Sequence, residues 1–241
     1  MLGLSNMQDN RKKFKPSPKR FHPRGLTILY EDHDILVVVK ASGLLTMSTD
    51  RIRDKTAFFL LNDYVRKGVE KSRNRVFIVH RLDRDTSGVL VFAKSEKVKN
   101  FLQEEWKGFS KKYYAVVHGV LSKKEDVISS YLTENAAHKV YSVRDPAMGK
   151  LAQTGYKVLK EGKSYSLLEI NLLTGRKNQI RAQFSEMGHP VAGDKIYGNN
   201  DKGIRRLALH AGFLTLLHPV SKKKMVFEAP TPGYFKSLLN S

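Results

Sequence analysis

The sequence predicts an α+β domain: a mixed, mostly antiparallel sheet with flanking helices. Two observations carry this. From Leu26 onward, β-branched and apolar runs of strand length dominate the chain. Helical periodicities fall irregularly among them, whereas a regular βαβ array would place one after each strand. Residues 27–31 and 34–40 read as a strand pair, separated by the turn-prone Asp32-His33. Residues 56–67 set Phe58, Leu61 and Val65 at helical spacing. Residues 75–79 and 89–93 read as strands on either side of a polar loop. Residues 95–107 read as a helix with Ser95 as its N-cap. Strands follow at 112–118, 126–132, 156–159 and 165–172, then a helix at 178–187, then strands at 207–216 and 224–228.

Residues 1–25 stand apart. They hold Arg11, Lys12, Lys13, Lys15, Lys19, Arg20 and Arg24 against the single acid Asp9, and Pro16, Pro18 and Pro23 break any helix. With few large apolar side chains the segment cannot offset its ordering entropy by burial. It is expected to be a flexible basic arm, with one domain over 26–241.

Charge is the first pointer to function. The 241 residues carry 43 Lys+Arg against 23 Asp+Glu, a net charge of +20. A field of that sign and size attracts polyanions, nucleic acid first among them. It does not separate RNA from DNA, and a surface charged for solubility remains open. No run approaches the ~18 apolar residues of a membrane span, and the start MLGLSNMQDNRKKF lacks the apolar stretch of a secretory signal. There are no cysteines, which excludes disulfides, thiolate metal sites and a cysteine nucleophile. A cytoplasmic location is expected.

The polar loop reads His80-Arg81-Leu82-Asp83-Arg84-Asp85-Thr86-Ser87-Gly88. Taken alone, an Asp beside Arg is most often an ion-paired surface group. The order of residues says more. HRLD followed two residues later by TSG resembles the catalytic motif of RluA-type pseudouridine synthases. Further blocks match in the same order: ILYEDHDILVVVKASGLLTM upstream, then KKYYAVVHG, LLTGRKNQIRAQFSEMGHPVAGDKIYG and RLALHAGFLTLLHP downstream. They span residues 26 to about 230. The chain departs from the family pattern at Lys40-Ala41, usually Lys-Pro; at Lys177-Asn178, usually Thr-His; and at Ala182-Gln183, where a His usually follows QIR.

The resemblance implies the pseudouridine synthase catalytic fold with a central cleft. It also implies isomerisation of uridine to pseudouridine in RNA: the N1–C1′ bond breaks, uracil turns over, and C5 joins C1′. Glycosidic cleavage builds positive charge at the anomeric carbon, which a carboxylate stabilises or attacks. By position that carboxylate is Asp83; whether it attacks C1′ or assists a glycal route stays open. Arg181 is expected to pair with it, since a cation within ~4–6 Å keeps a carboxylate ionised; a phosphate contact is the alternative. Tyr113 shares a strand face with Lys111, Ala115 and Val117, and the resemblance puts its ring against the uracil; a core tyrosine is the alternative. Arg81 is expected to fill the vacated stack or hold the flipped nucleotide, or simply to contact phosphate.

His80, His189, His210 and His218 have neither a carboxylate nor a second His at helical ligand spacing. No metal is therefore expected. No P-loop or dinucleotide glycine motif is present either, and the resemblance implies that no cofactor is needed. The residues before Leu26 are too few and too polar for the N-terminal RNA-binding domain that some members carry. The chain therefore resembles the short members, which modify tRNA or 23S rRNA, and a monomer is expected. Two other classes stay open: a catalytically silent RNA-binding or ribosome-assembly protein on the same fold, and a base-excising glycosidase.

Overall fold

A computed structural model describes residues 18, 21–48, 52, 54–69, 71–198, 201 and 203–240. The basic arm expected over 1–25 lies outside these, except for residue 18 and residues 21–25. There His22 meets Tyr64 edge-on at 5.4 Å, so packing starts before the apolar pattern does.

The described elements run in chain order as β1 (Leu26–Glu31), β2 (Ile35–Lys40), α1 (Ala57–Arg66), β3 (Phe77–Ile78), β4 (Ser87–Ala93), α2 (Glu96–Glu104), β5 (Lys111–His118), β6 (Glu125–Glu134), β7 (Val140–Val143), β8 (Lys150–Glu161), β9 (Tyr165–Leu172), α3 (Gln179–Glu186), β10 (Leu209–Leu217), β11 (Lys224–Glu228) and α4 (Tyr234–Leu239). The strands form one 11-stranded sheet whose main path is β1-β2-β4-β10-β5-β9-β8-β6-β7. All its described pairings are antiparallel except β4 with β10. The fold is α+β with a mixed, mostly antiparallel sheet.

The middle strands explain their own composition. In β2 and β4, Ile35, Val37, Val89 and Val91 pack into one apolar cluster, with Leu102 of α2. The alternate residues Leu36, Val38, Leu90 and Phe92 pack into another, with Leu61 and Tyr64 of α1. A strand covered on both faces reads as a continuous apolar run. A third cluster joins β5, β9, α3 and α4 through Val116, Leu168, Ile180, Phe184 and Phe235.

Helix ends follow local chemistry. Thr56 caps α1 by accepting from Phe59 N–H, and Ser95 caps α2 by accepting from Val98 N–H, as its sequence position predicts. The helix expected to reach Lys107 instead ends at Glu104 and tightens into a 3₁₀ turn, Glu105–Gly108. The strand expected over 75–79 is only Phe77–Ile78, because Val76 N–H is diverted to the Asn62 side chain at 3.0 Å. The strand expected over 156–159 extends from Lys150 to Glu161, paired with β6 on one edge and β9 on the other. Polar residues at its ends hide that length. β7 and α4, four and six residues long, are too short to show a period.

Candidate active site

The site forms where the parallel and antiparallel parts of the sheet meet. Ser87 and Gly88 at the start of β4 stand opposite His210 and Ala211 of β10. Those two residues in turn stand opposite Tyr114 and Tyr113 of β5. The loop that enters β4, residues 79–86, therefore lies two strands from Tyr113. The approach of β4 to β10 needs Gly88: its φ is +123°, and a Cβ there would sit 2.2 Å from the Ala211 carbonyl oxygen. β9 leads from beside β5 into the turn that starts α3, which carries Arg181. The result is a cavity of about 660 Å³ lined by Arg81, Asp83, Tyr113 and Arg181, with Trp106 and Arg176 at its sides.

The Asp83 loop is clamped from below. Lys40 is fully buried and donates from Nζ to the carbonyls of Leu44 at 2.7 Å, Arg84 at 3.0 Å and Ala41 at 3.1 Å. Burial pulls its pKa down to about 8, against the opposing charges of Asp85 and Asp83. Thr46 Oγ1 donates to the Leu82 carbonyl at 2.8 Å and accepts Leu82 N–H at 3.2 Å. Ser42 Oγ donates to the Asp85 carbonyl at 2.7 Å. Within the loop, Thr86 N–H reaches the Asp83 carbonyl at 3.2 Å. Just beyond it, Ser87 Oγ meets His210 Nδ1 at 2.8 Å. The clamp fixes backbone on both sides of Asp83 and leaves its carboxylate facing the cavity.

Arg181 reaches that carboxylate, with Nη1 at 4.0 Å from Asp83 Oδ2. Its main partner is another acid. Asp194, its side chain fully buried, accepts from Nε at 2.6 Å and Nη2 at 2.7 Å in a bidentate pair. Burial alone would lower the Arg181 pKa, but the hydrogen bonds and charge of Asp194, joined by the charge of Asp83, raise it. Burial would likewise raise Asp194, but Arg181 and the N–H groups of Tyr197 and Ile196 hold it below the ordinary carboxylate value. Asn178 completes the set: its Oδ1 accepts from Arg181 Nη1 at 3.1 Å and its Nδ2 donates to Tyr197 OH at 3.3 Å. Asn178 is left-handed, φ 50°, a conformation asparagine tolerates better than most residues. Gln183, the other departure in this block, is buried on the face of α3 that meets β6 and β8 and bonds to Thr154, Ser130 and the Ala152 carbonyl. It serves packing and does not line the cavity.

Tyr113 closes the floor. Burial, helped by the charge of Asp83, raises its phenol pKa above the ordinary value, so the ring is neutral. Arg81 is exposed at the mouth and touches Met47 Sδ at 3.9 Å. Trp106 stacks on His80 at 4.2 Å and holds Lys111 Nζ on its carbonyl at 2.7 Å. His80 accepts Val91 N–H at 3.2 Å, and burial, with the charge of Lys111, pulls its pKa down to about 3. It is a neutral brace in the cavity wall.

Elsewhere, Asp32, Asp34 and His218 cluster within 4.8 Å, a juxtaposition that helical spacing does not reveal. Asp32 is already occupied: it accepts from Asp34 N–H, Ile35 N–H, Tyr30 OH and His218 Nε2. That network ties the β1–β2 turn to the end of β10. Among the described residues no helix is long and apolar enough to cross a membrane.

The sequence brought Asp83, Arg81, Tyr113 and Arg181 forward, and the structure gathers all of them at one cavity. It missed Asp194, although that residue sits in the quoted GDKIYG block, and it gave no role to Lys40 or Thr46.

Comparison with known proteins gives a consistent result. Residues 34–186 match the family model described as RNA pseudouridylate synthase. An RNA pseudouridine synthase of Bacillus subtilis named YhcT, itself described as uncharacterized, is 35% identical over 217 residues, covering 88% of this chain and 71% of that one. A protein of Buchnera aphidicola named ribosomal large subunit pseudouridine synthase C is 35% identical over 228 residues, covering 89% and 70%. The fold matches that of human RNA pseudouridylate synthase domain containing 4 with a TM-score of 0.72 at 23% identity, over 87% of this chain and 90% of that one.

Proposed function

The chain belongs to the RNA pseudouridylate synthase family, and from that premise we propose that it isomerises uridines in large-subunit rRNA with Asp83 as the essential carboxylate. One observation carries the role of Asp83: a carboxylate on a clamped loop faces a cavity that also holds a neutral tyrosine ring and a fixed guanidinium. Ribosomal RNA is favoured over tRNA because a relative covering most of the chain is named for the large subunit.

The chemistry follows from the placement. A uridine inside folded RNA must be flipped out, which costs a few kcal/mol. Arg81 at the mouth suits the vacated stack or the displaced phosphate. In the cavity the uracil stacks on Tyr113, and Asp83 meets the developing charge at C1′. The N1–C1′ bond breaks, the base turns, and C5 bonds to C1′. The proton leaves C5 and one is gained at N1, so no atom is added. Water has to be kept from the intermediate while RNA fills the cavity, since hydrolysis would release the base. Arg181 stays charged beside Asp83 and holds the carboxylate side of the cavity in register. No cofactor is needed for this balance. The enzyme is proposed to act as a monomer in the cytoplasm.

The test is to incubate the purified protein with in vitro transcribed large-subunit rRNA and tRNA and to map pseudouridine. Pseudouridine at discrete rRNA positions is expected. Modification of tRNA alone would overturn the substrate assignment, and free uracil with abasic sites would identify a glycosidase.

A further inference from the structure

Beside the cavity lies a second groove of about 590 Å³. Its buried floor is Leu132 and Val140. Met148, 65% exposed, comes from the turn that enters β8, Lys150 is the first residue of that strand, and Arg176 and Lys177 come from the loop before α3. Gly175 and Arg176 line both hollows, so a single ridge divides them. Arg176 Nε donates to the Leu151 carbonyl at 3.1 Å, which pins the side chain along that ridge. Glu134, the acid in the lining, is engaged by Lys177 and His138.

These features fit one occupant. An apolar floor beside an exposed methionine accepts a base face, and cations along the rim accept phosphate. Unpaired RNA is bound by splayed bases on side-chain platforms and by a basic track for the backbone. The volume matches a single small ligand. With a uridine in the first cavity, the next phosphate would cross the ridge at Arg176. We propose that this groove is a second nucleotide subsite, taking the base and phosphate of the unpaired residue that flanks the target uridine. The proposal rests on the reading of the first cavity as the uridine site.

The probe is a series of fluorescein-labelled oligouridylates, from one to six nucleotides, read by anisotropy. Affinity is expected to climb once the strand is long enough to span both hollows. In Lys150→Glu, and in Lys150→Glu combined with Met148→Asp, that gain is expected to shrink about tenfold. The salt dependence should also flatten by about 0.7 per lost phosphate contact. Variants that keep the full gain and still form pseudouridine in rRNA overturn the subsite and leave the catalytic reading standing. A parent protein that forms no pseudouridine in any RNA strikes the catalytic reading and the subsite with it.

Discussion

The wall that carries Asp83 and the wall that carries Arg181 face the same cavity but are built by different means. On the Asp83 side, the side chains of Lys40, Ser42 and Thr46 hold backbone: the bonds end on the carbonyls of Leu82, Arg84 and Asp85. On the Arg181 side, the guanidinium itself is held by side chains, the Asp194 carboxylate and the Asn178 amide, while the buried amides of Gln179 and Gln183 bond to both side chains and backbone. The difference separates two needs. The carboxylate proposed to meet the reacting carbon is fixed through its main chain and keeps its oxygens toward the cavity. A guanidinium that must stay oriented has most of its donors bound before substrate arrives.

Breaking the Arg181 wall is expected to have the largest effect on stability. Asp194→Ala leaves a buried guanidinium without its partner and should destabilise the fold by about 3–5 kcal/mol, measured by denaturant unfolding. A loss within the scatter of surface substitutions would mean that the pair is not what holds this wall. Lys40→Met tests the other wall. It strips the clamp from the Ala41, Leu44 and Arg84 carbonyls and should cost about 2–4 kcal/mol, with faster proteolysis in the 41–46 turn or the 80–86 loop.

The His80 brace in the cavity wall is read by pH. His80 is neutral when folded, with its pKa pushed down to about 3 from 6.5. Below pH 6.5 the unfolded chain binds a proton that the folded chain refuses. The stability due to neutral His80 is therefore fully present above 6.5 and is lost as pH falls toward 3, by at most about 1.4 kcal/mol per pH unit. His80→Gln should flatten that slope by one proton. An unchanged slope would move the acid sensitivity to another group.

The smallest effect separates the Asn178 side chain from its backbone. Asn178→Ala loses the bond to Arg181 and strains a left-handed position, at about 1–2 kcal/mol. Asn178→Gly relieves the strain without restoring the bond. Both should lower kcat about tenfold with little change in KM, and only the alanine variant should lose appreciable stability. Full activity in the glycine variant would reduce Asn178 to a backbone role.

Much of this architecture was legible in sequence where one residue type serves one local rule. Ser95 caps its helix, 165–172 is a strand in full, and the alternation along β5 put Tyr113 and Ala115 on a shared face. The ordered motifs gathered Asp83, Tyr113 and Arg181 before any geometry was known. What stayed hidden was long-range. Lys40 reaches the Arg84 carbonyl across 44 positions and Thr46 reaches Leu82 across 36, and no periodicity marks such pairs. Asp194 was visible as a residue but not as a partner, because Arg181 meets it only once the chain has turned back after α3. Asn178, which departs from the family pattern, proved to be a ligand of the guanidinium.

Asp83 is proposed to do the chemistry on a loop whose position does not depend on its charge. The direct measurement is pseudouridine formation on transcribed rRNA by Asp83→Asn, beside its RNA affinity and melting temperature. A fall in turnover of at least about 10³-fold is expected, with RNA binding and stability retained. Turnover within tenfold of the parent would contradict that role.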